Sequence, residues 1–329
     1  MKVPRLNPLI LGQTSYSSNL IQGPLAGISC APFRVLTARY SQPAFSCTEM
    51  ISCKTLLHQS SSAQKRLVMK DSEEGPLCFQ LAGSDPNELA LATKIVSDLG
   101  ADLINLNCGC PVKKIRRKGA GSSLLLEPLK LLQLIQAMKQ STHLPVSIKI
   151  RVENQDEIFH EDLLKVLKDS GLDFLIVHGR HWTEHYDIPC RYDSIAFFAQ
   201  NLKIPVIGNG DVACIASLER MLATGCAAVM IARAGVGQPW LIKKLTAEIN
   251  QEVFITPSLQ EIGAVFMEHV LRLKDLLEDE RFAILQARKF AKYYARPLTT
   301  RAEFCMAVNE CENLKDLERL TSRYFNGSS

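Results

Sequence analysis

Eight short apolar runs alternate with longer segments of helical period between residues 20 and 250, and this alternation limits the fold more than any other feature of the chain. The runs occupy residues 20–26, 44–49, 76–81, 102–107, 146–151, 174–178, 204–208 and 228–232. Alternating strands and helices predict a parallel sheet covered by helices. Eight such units in this length match a TIM (β/α)8 barrel, whereas a doubly wound sheet usually has fewer strands.

The chain after Pro257 contains helical periodicity alone. Residues 258–276, 280–296 and 301–325 lack strand-like runs, and Pro297 separates the second stretch from the third because proline disrupts a helix interior. We therefore predict two domains, a catalytic barrel over residues 1–250 and a small all-helical C-terminal domain over residues 251–329.

Composition and charge exclude several classes of protein. The chain has 38 Lys and Arg against 34 Asp and Glu, and a net charge of +4 does not by itself indicate a nucleic-acid-binding protein. Its 11 cysteines form no C-x-x-C pair, and its 329 residues far exceed a disulfide-dependent secreted domain. The N-terminal residues contain no signal-peptide core, and the longest apolar stretch, residues 226–232, is too short to span a membrane. These features predict a cytoplasmic protein without a membrane segment, and none indicates an obligatory protein partner.

Polar side chains follow most of the predicted strands, which is where a TIM barrel places its functional groups. They are Gln80, Asn107, Lys149, Arg151, His178, Arg180, Asn209, Asp211 and Arg233. Gly208, Gly210, Arg233 and Gly235 lie in the last two loops and favour a phosphate-binding site, with ordinary tight turns as the alternative. Gly208, Gly210 and Ala213 match a dinucleotide-binding fingerprint, but the acidic residue that should follow about 20 positions later is missing.

Lys149 alternates with Ile148 and Ile150 along its strand, so we expect it to face away from them, toward the barrel mouth. A charge at that position needs a partner. A negatively charged ligand would supply one, and the structural alternative is a carboxylate such as Glu49 or Asp211.

Cys110 lies between Gly109 and Pro111 in the loop after the fourth strand, at a position that no packing pattern requires. A thiol with an ordinary pKa of about 8.5 stays mostly protonated at neutral pH and can donate a proton. Cys108 is a rival for this role.

His178, His181 and His185 fall within eight residues, a spacing that could suggest zinc ligands. His178 ends a strand, whereas the other two lie in a loop, so no shared helical face brings them together. We therefore predict no metal site.

Eight short motifs occur between residues 20 and 245. They are PLAGISCAPFR at residues 24–34, TEMIS at 48–52, QLAG at 80–83, NLNCGCP at 105–111, KIR at 149–151, VHGR at 177–180, GNGD at 208–211 and PW at 239–240. In this order they resemble the signatures of the tRNA-dihydrouridine synthases, flavin enzymes that reduce particular uridines in tRNA.

The resemblance implies FMN at the barrel mouth, reduced by transiently bound NADPH or NADH. It also implies hydride transfer from flavin N5 to uracil C6 and a proton from Cys110 to C5 on the opposite face, with the target uridine removed from its stack. The residues that it assigns to FMN are Pro24, Leu25, Ala26, Gln80, Asn107, Lys149, His178, Asn209, Gly210, Asp211, Ala232 and Arg233. Lys149 would lie near the N1 and O2 edge of the ring, and Gly210 and Arg233 near the phosphate.

A stretch between Arg288 and Arg301 contains five cations and no acid, and is similar to the basic stretch of the family's helical domain. On one continuous helix, Arg288, Lys292 and Arg296 would share a face beside Tyr293 and Tyr294. This pattern favours contacts to RNA phosphates and stacking on bases, with a solvated helix face as the alternative. The predicted substrate contacts are Asn107, Arg151, Arg180, Lys113, Lys114, Arg288, Lys289, Lys292 and Arg296.

Some positions depart from the family pattern. Cys30 stands where Asp is common, Ala232 stands where Gly precedes the arginine, and residues 181–186 form an unusual loop. The main alternative function is a small-molecule flavin oxidoreductase of the dihydropyrimidine or dihydroorotate type, which gives no reason for the cationic helical stretch. Two further alternatives are a Schiff-base aldolase that uses Lys149 and a catalytically silent RNA-binding protein.

Overall fold

The computed structural model describes residues 6–58 and 61–327. Residues 1–5, which begin the segment where no signal peptide is expected, lie outside the described residues. The strands are β1 (Leu9–Leu11), β2 (Thr14–Tyr16), β3 (Leu20–Gln22), β4 (Ser46–Ser52), β5 (Leu77–Ala82), β6 (Leu103–Cys108), β7 (Val146–Arg151), β8 (Phe174–His178), β9 (Val206–Asn209) and β10 (Ala228–Ile231).

Strands β3 to β10 form a closed parallel barrel in chain order, so the predicted TIM barrel is confirmed. Closure occurs where β10 pairs with β3, with Val229 opposite Leu20. The first barrel strand is shorter than predicted and ends at Gln22. Pro24 has no amide hydrogen to donate to a neighbouring strand, which explains why pairing stops there.

Helices cover the barrel and form the C-terminal part. They are α1 (Ala31–Ser41), α2 (Cys53–His58), α3 (Ser61–Val68), α4 (Pro86–Asp98), α5 (Lys113–Arg116), α6 (Pro128–Lys139), α7 (His160–Asp169), α8 (Tyr192–Asn201), α9 (Ile215–Leu222), α10 (Leu241–Ile249), α11 (Leu259–Leu277), α12 (Glu280–Tyr294), α13 (Arg301–Glu310) and α14 (Leu314–Phe325). The stretch over 301–325, which is predicted as helical, contains two helices. The break is at Asn313, whose side chain accepts a hydrogen bond from the Asp316 amide and so starts a new helix.

Side chains along each barrel strand point alternately outward and inward, which divides the barrel residues into two sets. Outward side chains such as Leu106 and Ile148 pack against the helices in one large apolar cluster. Inward side chains near the amino ends, such as Leu103 and Phe174, form a second apolar cluster inside the barrel. The hairpin of β1 and β2 adds Leu9, Leu11 and Tyr16 to that cluster, so apolar packing closes the amino end and polar groups are left at the carboxyl end.

The C-terminal helices have a third apolar cluster, which includes Phe266, Phe290 and Phe304. Phe33 of α1 and Trp240, just before α10, belong to the same cluster. The proposed boundary at residue 250 therefore separates two parts that share buried surface. Deleting the helical part would expose apolar side chains of the barrel, so point substitutions test its role more cleanly.

Gly237, which follows the last barrel strand, lies against the backbone of α12. Its φ is +72°, and a Cβ built on it would lie 2.5 Å from the carbonyl carbon of Tyr293 and 2.6 Å from the amide nitrogen of Tyr294. Both are backbone atoms, so a side chain at residue 237 must displace the helix. We expect Gly237→Ala to cost about 3 kcal/mol and to lower Tm by more than about 5 °C.

Gly171→Ala is the matched control, measured by the same thermal unfolding. Its φ is +74°, but no heavy atom lies within 4 Å of its Cβ position. This variant therefore carries backbone strain alone, about 1 kcal/mol. Equal losses of Tm in the two variants would show that the close approach of α12 to residue 237 adds nothing to the loss of stability.

Candidate active site

A cavity of about 510 Å³ opens at the carboxyl ends of the barrel strands. All twelve residues that the family resemblance assigns to FMN line it, together with Cys110, Arg151 and Arg296. They converge because β5 to β10 all present inward side chains at this end. The cavity is therefore the candidate site.

A directed chain of hydrogen bonds fixes the polar wall of the cavity. The Asn107 side-chain oxygen accepts from the amides of Gly109, at 3.1 Å, and Cys110, at 2.8 Å, so its nitrogen must be the donor to Gln80, at 2.8 Å. Gln80 then donates to Asn105 at 2.8 Å, and Asn105 donates to Ser147 at 2.8 Å. The backbone of the Cys110 loop thus sets the orientation of every amide in the row.

Cys110 and Cys108 have different surroundings. Cys108 is fully buried in the apolar cluster between strands and helices, whereas Cys110 is half-buried and lines the cavity. Burial raises the pKa of the Cys110 thiol above its ordinary value, and the Val112 amide and Arg151 offset only part of the rise. The thiol is therefore protonated at neutral pH and faces the cavity.

Lys149 faces the cavity, as its alternation with Ile148 and Ile150 predicts. Burial, and to a smaller extent the charge of Arg151, lowers the pKa of Lys149 to about 7. Neither carboxylate named as its structural alternative pairs with it, because Glu49 binds Arg66 and Asp211 binds Arg180. In the part of the chain that the structure describes, the Lys149 ammonium has no anionic partner.

His178 lies on the same wall and is 7% exposed. Burial, followed by the charges of Lys149, Arg151, Arg180 and Arg233, lowers its pKa well below the ordinary value. The imidazole is therefore neutral at pH 7. It does not add a positive charge, and can accept or donate one hydrogen bond at each ring nitrogen according to its tautomer.

Arg180 is placed differently from expectation, because it does not line the cavity. Its side chain is 1% exposed and donates to Asp211 at 2.5 Å and to the carbonyls of Tyr186 and Ile188 at 3.2 and 2.5 Å. These bonds hold the loop after β8 in place. We therefore assign Arg180 to positioning that loop and no longer to contacting the substrate.

Two tyrosines line the cavity, and the sequence indicates a role for Tyr293 but none for Tyr186. The Tyr186 ring lies 3.5 Å from the guanidinium carbon of Arg233, and the Tyr293 ring lies 5.0 Å from that of Arg296. Tyr186 belongs to an irregular loop, where no periodicity indicates which side chain turns inward. Tyr293 was noted as a stacking residue, whereas its neighbour Tyr294 is buried in the helical cluster and cannot stack on RNA.

The predicted cationic stripe on α12 is interrupted. The helix ends at Tyr294, since the residue before Pro297 avoids helical backbone, and Arg296 turns to donate to the carbonyls of Ala234 and Val236 at 3.1 Å. Arg288 donates to the Cys311 carbonyl at 3.3 Å and lies away from the cavity wall. Lys289 and Lys292 are exposed on α12, and Lys113 and Lys114 are exposed after Cys110.

Two further observations concern the described residues. No group of three His, Cys, Asp or Glu side chains converges there as a metal ion would require. Within the same ranges, every helix is too short or too polar to cross a membrane.

Comparison with known proteins decides the family. The model of the dihydrouridine synthase family matches residues 21–326. The chain belongs to the dihydrouridine synthase family. The sequence resemblance and the expected enzyme class, a flavin-dependent oxidoreductase, are confirmed at the level of the family.

Relatives in the family align over nearly the whole chain. The tRNA-dihydrouridine synthases B of Pectobacterium carotovorum and Escherichia coli (strain K12) are each 32% identical, over 96% of this chain and 98% of theirs. Among solved structures, morphinone reductase has a TM-score of 0.58 at 14% identity and covers 78% of this chain and 92% of its own. An old yellow enzyme homologue from Zymomonas mobilis has a TM-score of 0.55 at 12% identity, over 79% and 96%. These two structures support the barrel fold alone.

In this family member, the unusual loop after β8 is joined to the Cys110 loop. The Arg116 guanidinium lies 3.5 Å from the Trp182 ring and donates to Ser122 at 2.7 Å. Ser122 in turn donates its hydroxyl to the Cys110 carbonyl at 3.0 Å. Glu157 accepts from the Trp182 ring nitrogen at 3.0 Å, which holds the ring against Arg116. Trp182 therefore restrains the loop that holds the thiol.

We expect Trp182→Ala to free this loop and to raise the rate of Cys110 alkylation by iodoacetamide about tenfold, because a stacked cation contributes about 1–2 kcal/mol. Alkylation is followed by mass spectrometry of the Cys110 peptide. Trp182→Phe keeps an aromatic face for Arg116 and should alkylate at close to the wild-type rate. Equal rates in wild type and Trp182→Ala would contradict this role.

Proposed function

We propose that this protein is a tRNA-dihydrouridine synthase, which uses FMN and NADPH or NADH to reduce the C5–C6 double bond of specific uridines in tRNA. The observation that carries the proposal is that a protonated thiol and a half-buried lysine without an anionic partner face the same cavity. The family match and the names of the relatives support the same reaction. Such a substrate would place the protein in the cytoplasm.

The charge of the cavity lining is complementary to the phosphate of FMN. Its lining contains four cations, Lys149, Arg151, Arg233 and Arg296, and one acid, Asp211, which is already bound by Arg180. An excess of positive charge favours a ligand that carries phosphate. Pro24, Leu25, Ala26, Gln80, Asn107, Lys149 and His178 would hold the ring, and Asn209, Gly210, Asp211, Ala232 and Arg233 the phosphate end. When bound, FMN supplies the hydride that reduces uracil C6.

Cys110 supplies the proton in this proposal. A general acid must be protonated before the reaction and must reach the atom that it protonates. Burial keeps the thiol protonated, and the hydrogen bonds to the Cys110 amide and carbonyl fix its backbone on both sides. Asn107, which orients this loop, would also position the uracil.

The tRNA contacts lie around the cavity mouth. Arg151 and Arg296 line the cavity, and Lys289, Lys292, Lys113 and Lys114 are exposed outside it. Cations in this arrangement attract the phosphates on both sides of an extruded uridine. Arg288 would act at the outer edge of the same surface. The alternative of a small-molecule substrate gives these exposed cations no role.

The test uses purified protein, unmodified tRNA and each reduced nicotinamide in turn. Release and chromatography of the bound flavin should identify FMN, and nucleoside mass spectrometry should detect dihydrouridine, which fragment mapping then assigns to positions. Reduction of free pyrimidines with no reduction of tRNA would favour the alternative. A colourless protein that forms no dihydrouridine after addition of FMN would exclude both.

A further inference from the structure

A second cavity of about 470 Å³ lies beside the candidate active site. Met50 lines both cavities, so the two adjoin at this residue. This volume is within the range of about 300–1,000 Å³ that is typical of sites for small ligands. No role in the proposed reaction has been assigned to this space.

The charges around the second cavity favour an anion. Four charged side chains line it, and Lys54 lies 3.6 Å from Glu88, so these two offset each other. Lys114 and Lys118 have no acid within ion-pairing distance among residues 6–58 and 61–327. Two positive charges therefore remain at this cavity.

Part of the lining of the second cavity is apolar. Met50, Ala82 and Ile115 contribute side chains without hydrogen-bonding groups, although Met50 sulfur is a weak acceptor. Apolar side chains and unpaired lysines in one cavity fit a molecule with a flat, weakly polar face and a phosphate at one edge. A nucleotide has this chemistry, since its base stacks on apolar groups and its phosphate binds cations.

The position of the second cavity relative to Cys110 indicates which nucleotide. Lys114, Ile115 and Lys118 follow Cys110 directly in the chain, and the hydrogen bonds of Ser122 to the Cys110 carbonyl tie both ends of this segment together. Because Met50 lines both cavities, a nucleotide next to a uridine in the first cavity would be within reach of the second.

We propose that the second cavity binds a nucleotide that flanks the reacting uridine in the tRNA strand. Its base packs on Met50, Ala82 and Ile115, and its phosphate binds Lys114 and Lys118. This subsite rests on the proposed function, because its ligand is part of the tRNA substrate. The subsite gives the enzyme a contact to the tRNA strand beside the reacting uridine, in addition to its contacts with the uridine itself.

The test measures the two half-reactions separately, with holoenzyme and unmodified tRNA. Reduced enzyme is mixed anaerobically with tRNA, and flavin absorbance gives the tRNA concentration for half-maximal reoxidation. For Lys114→Ala and Lys118→Ala we expect that concentration to rise about 5- to 10-fold, and its slope against salt to fall by about one per lysine. Reduction by the nicotinamide should be unchanged.

Arg117→Ala is the matched control. Arg117 is also exposed and adjacent, but it does not line the cavity. This variant should change the tRNA concentration for half-maximal reoxidation less than about twofold.

A variant that fills the cavity tests the site without changing charge. Ser52 is exposed and lines the second cavity, whereas Ser72 is exposed elsewhere. Ser52→Trp should weaken tRNA binding as the lysine variants do, and Ser72→Trp should not.

Equal effects of Arg117→Ala and Lys118→Ala would overturn the subsite in favour of general surface charge. Slower reduction by the nicotinamide in these variants would assign the cavity to the reductant. If tRNA does not reoxidise the wild-type enzyme at all, the proposed function itself fails before any variant is compared.

Discussion

Cys110→Ala should retain bound flavin and lose dihydrouridine formation by a factor of about 10²–10⁴, the usual contribution of a general acid. The thiol lines the cavity, and burial keeps its pKa above the ordinary value, so it carries a proton that it can donate in the proposed reaction. Its backbone bonds to Asn107 and Ser122 do not involve the sulfur, so alanine should leave the loop in place. The measurement is single-turnover dihydrouridine formation with enzyme reduced beforehand, so that the nicotinamide step cannot limit the rate.

Cys108→Ala is the matched control for this variant. Cys108 is two residues away but belongs to the apolar cluster behind the strand. Its truncation should cost about 1 kcal/mol or more of stability and should leave the rate of the folded enzyme close to wild type. A slow Cys108→Ala enzyme beside a normal Cys110→Ala enzyme would reverse the assignment of the two cysteines.

Lys149→Met should lower the midpoint potential of the bound flavin by about 40–90 mV, which corresponds to about 2–4 kcal/mol for two electrons. The reason is that the Lys149 ammonium faces the cavity without a counter-ion, so a ligand that gains negative charge there is stabilised. Reduction by NADPH should slow in parallel. Lys165→Met is the control, because Lys165 is exposed on α7 and pairs with Asp162 on the same helix. Equal potentials in wild type and Lys149→Met would contradict this role.

The low pKa of Lys149 also predicts proton uptake when negative charge develops on the bound flavin ring. Without ligand its pKa is about 7, so the ammonium is charged below that pH and mostly neutral at pH 8. Negative charge on the reduced ring favours the charged form and raises the pKa, so the midpoint potential should fall with pH near pH 8 more steeply in wild type than in Lys149→Met. Potentiometric titration at several pH values measures this slope. Equal slopes in both proteins would assign the proton to another group.

The fold and the residues at the strand ends of the site could be predicted, because both follow from the alternation of side chains along single strands and helices. Strand alternation placed Lys149 inward, and polar residues at strand ends identified the wall from Gln80 to Arg233. The failures lie where several loops determine the position of a side chain. Arg180 ends a strand motif, yet its guanidinium is bound by the loop beyond it, and Arg296 leaves its helical face because Pro297 ends the helix.

Tertiary contacts between distant loops were likewise not predictable from the chain. Nothing in the sequence pairs Arg116 with Trp182, which lie 66 positions apart, or makes Tyr186 cover Arg233. Helical periodicity located α12 but not the split between α13 and α14, because the capping side chain of Asn313 acts over a single turn. The same limit applies to the second cavity, whose walls come from three separate segments.

The central claim is that electrons held in this cavity pass to a uridine of tRNA, and one anaerobic titration tests it most directly. Enzyme with reduced flavin is mixed with unmodified tRNA, and the oxidised flavin and the dihydrouridine formed are both counted. We predict one dihydrouridine per flavin oxidised, with free uracil, uridine and orotate unable to reoxidise the enzyme at comparable concentrations. Flavin that is reoxidised by orotate or uracil but not by tRNA would contradict the claim.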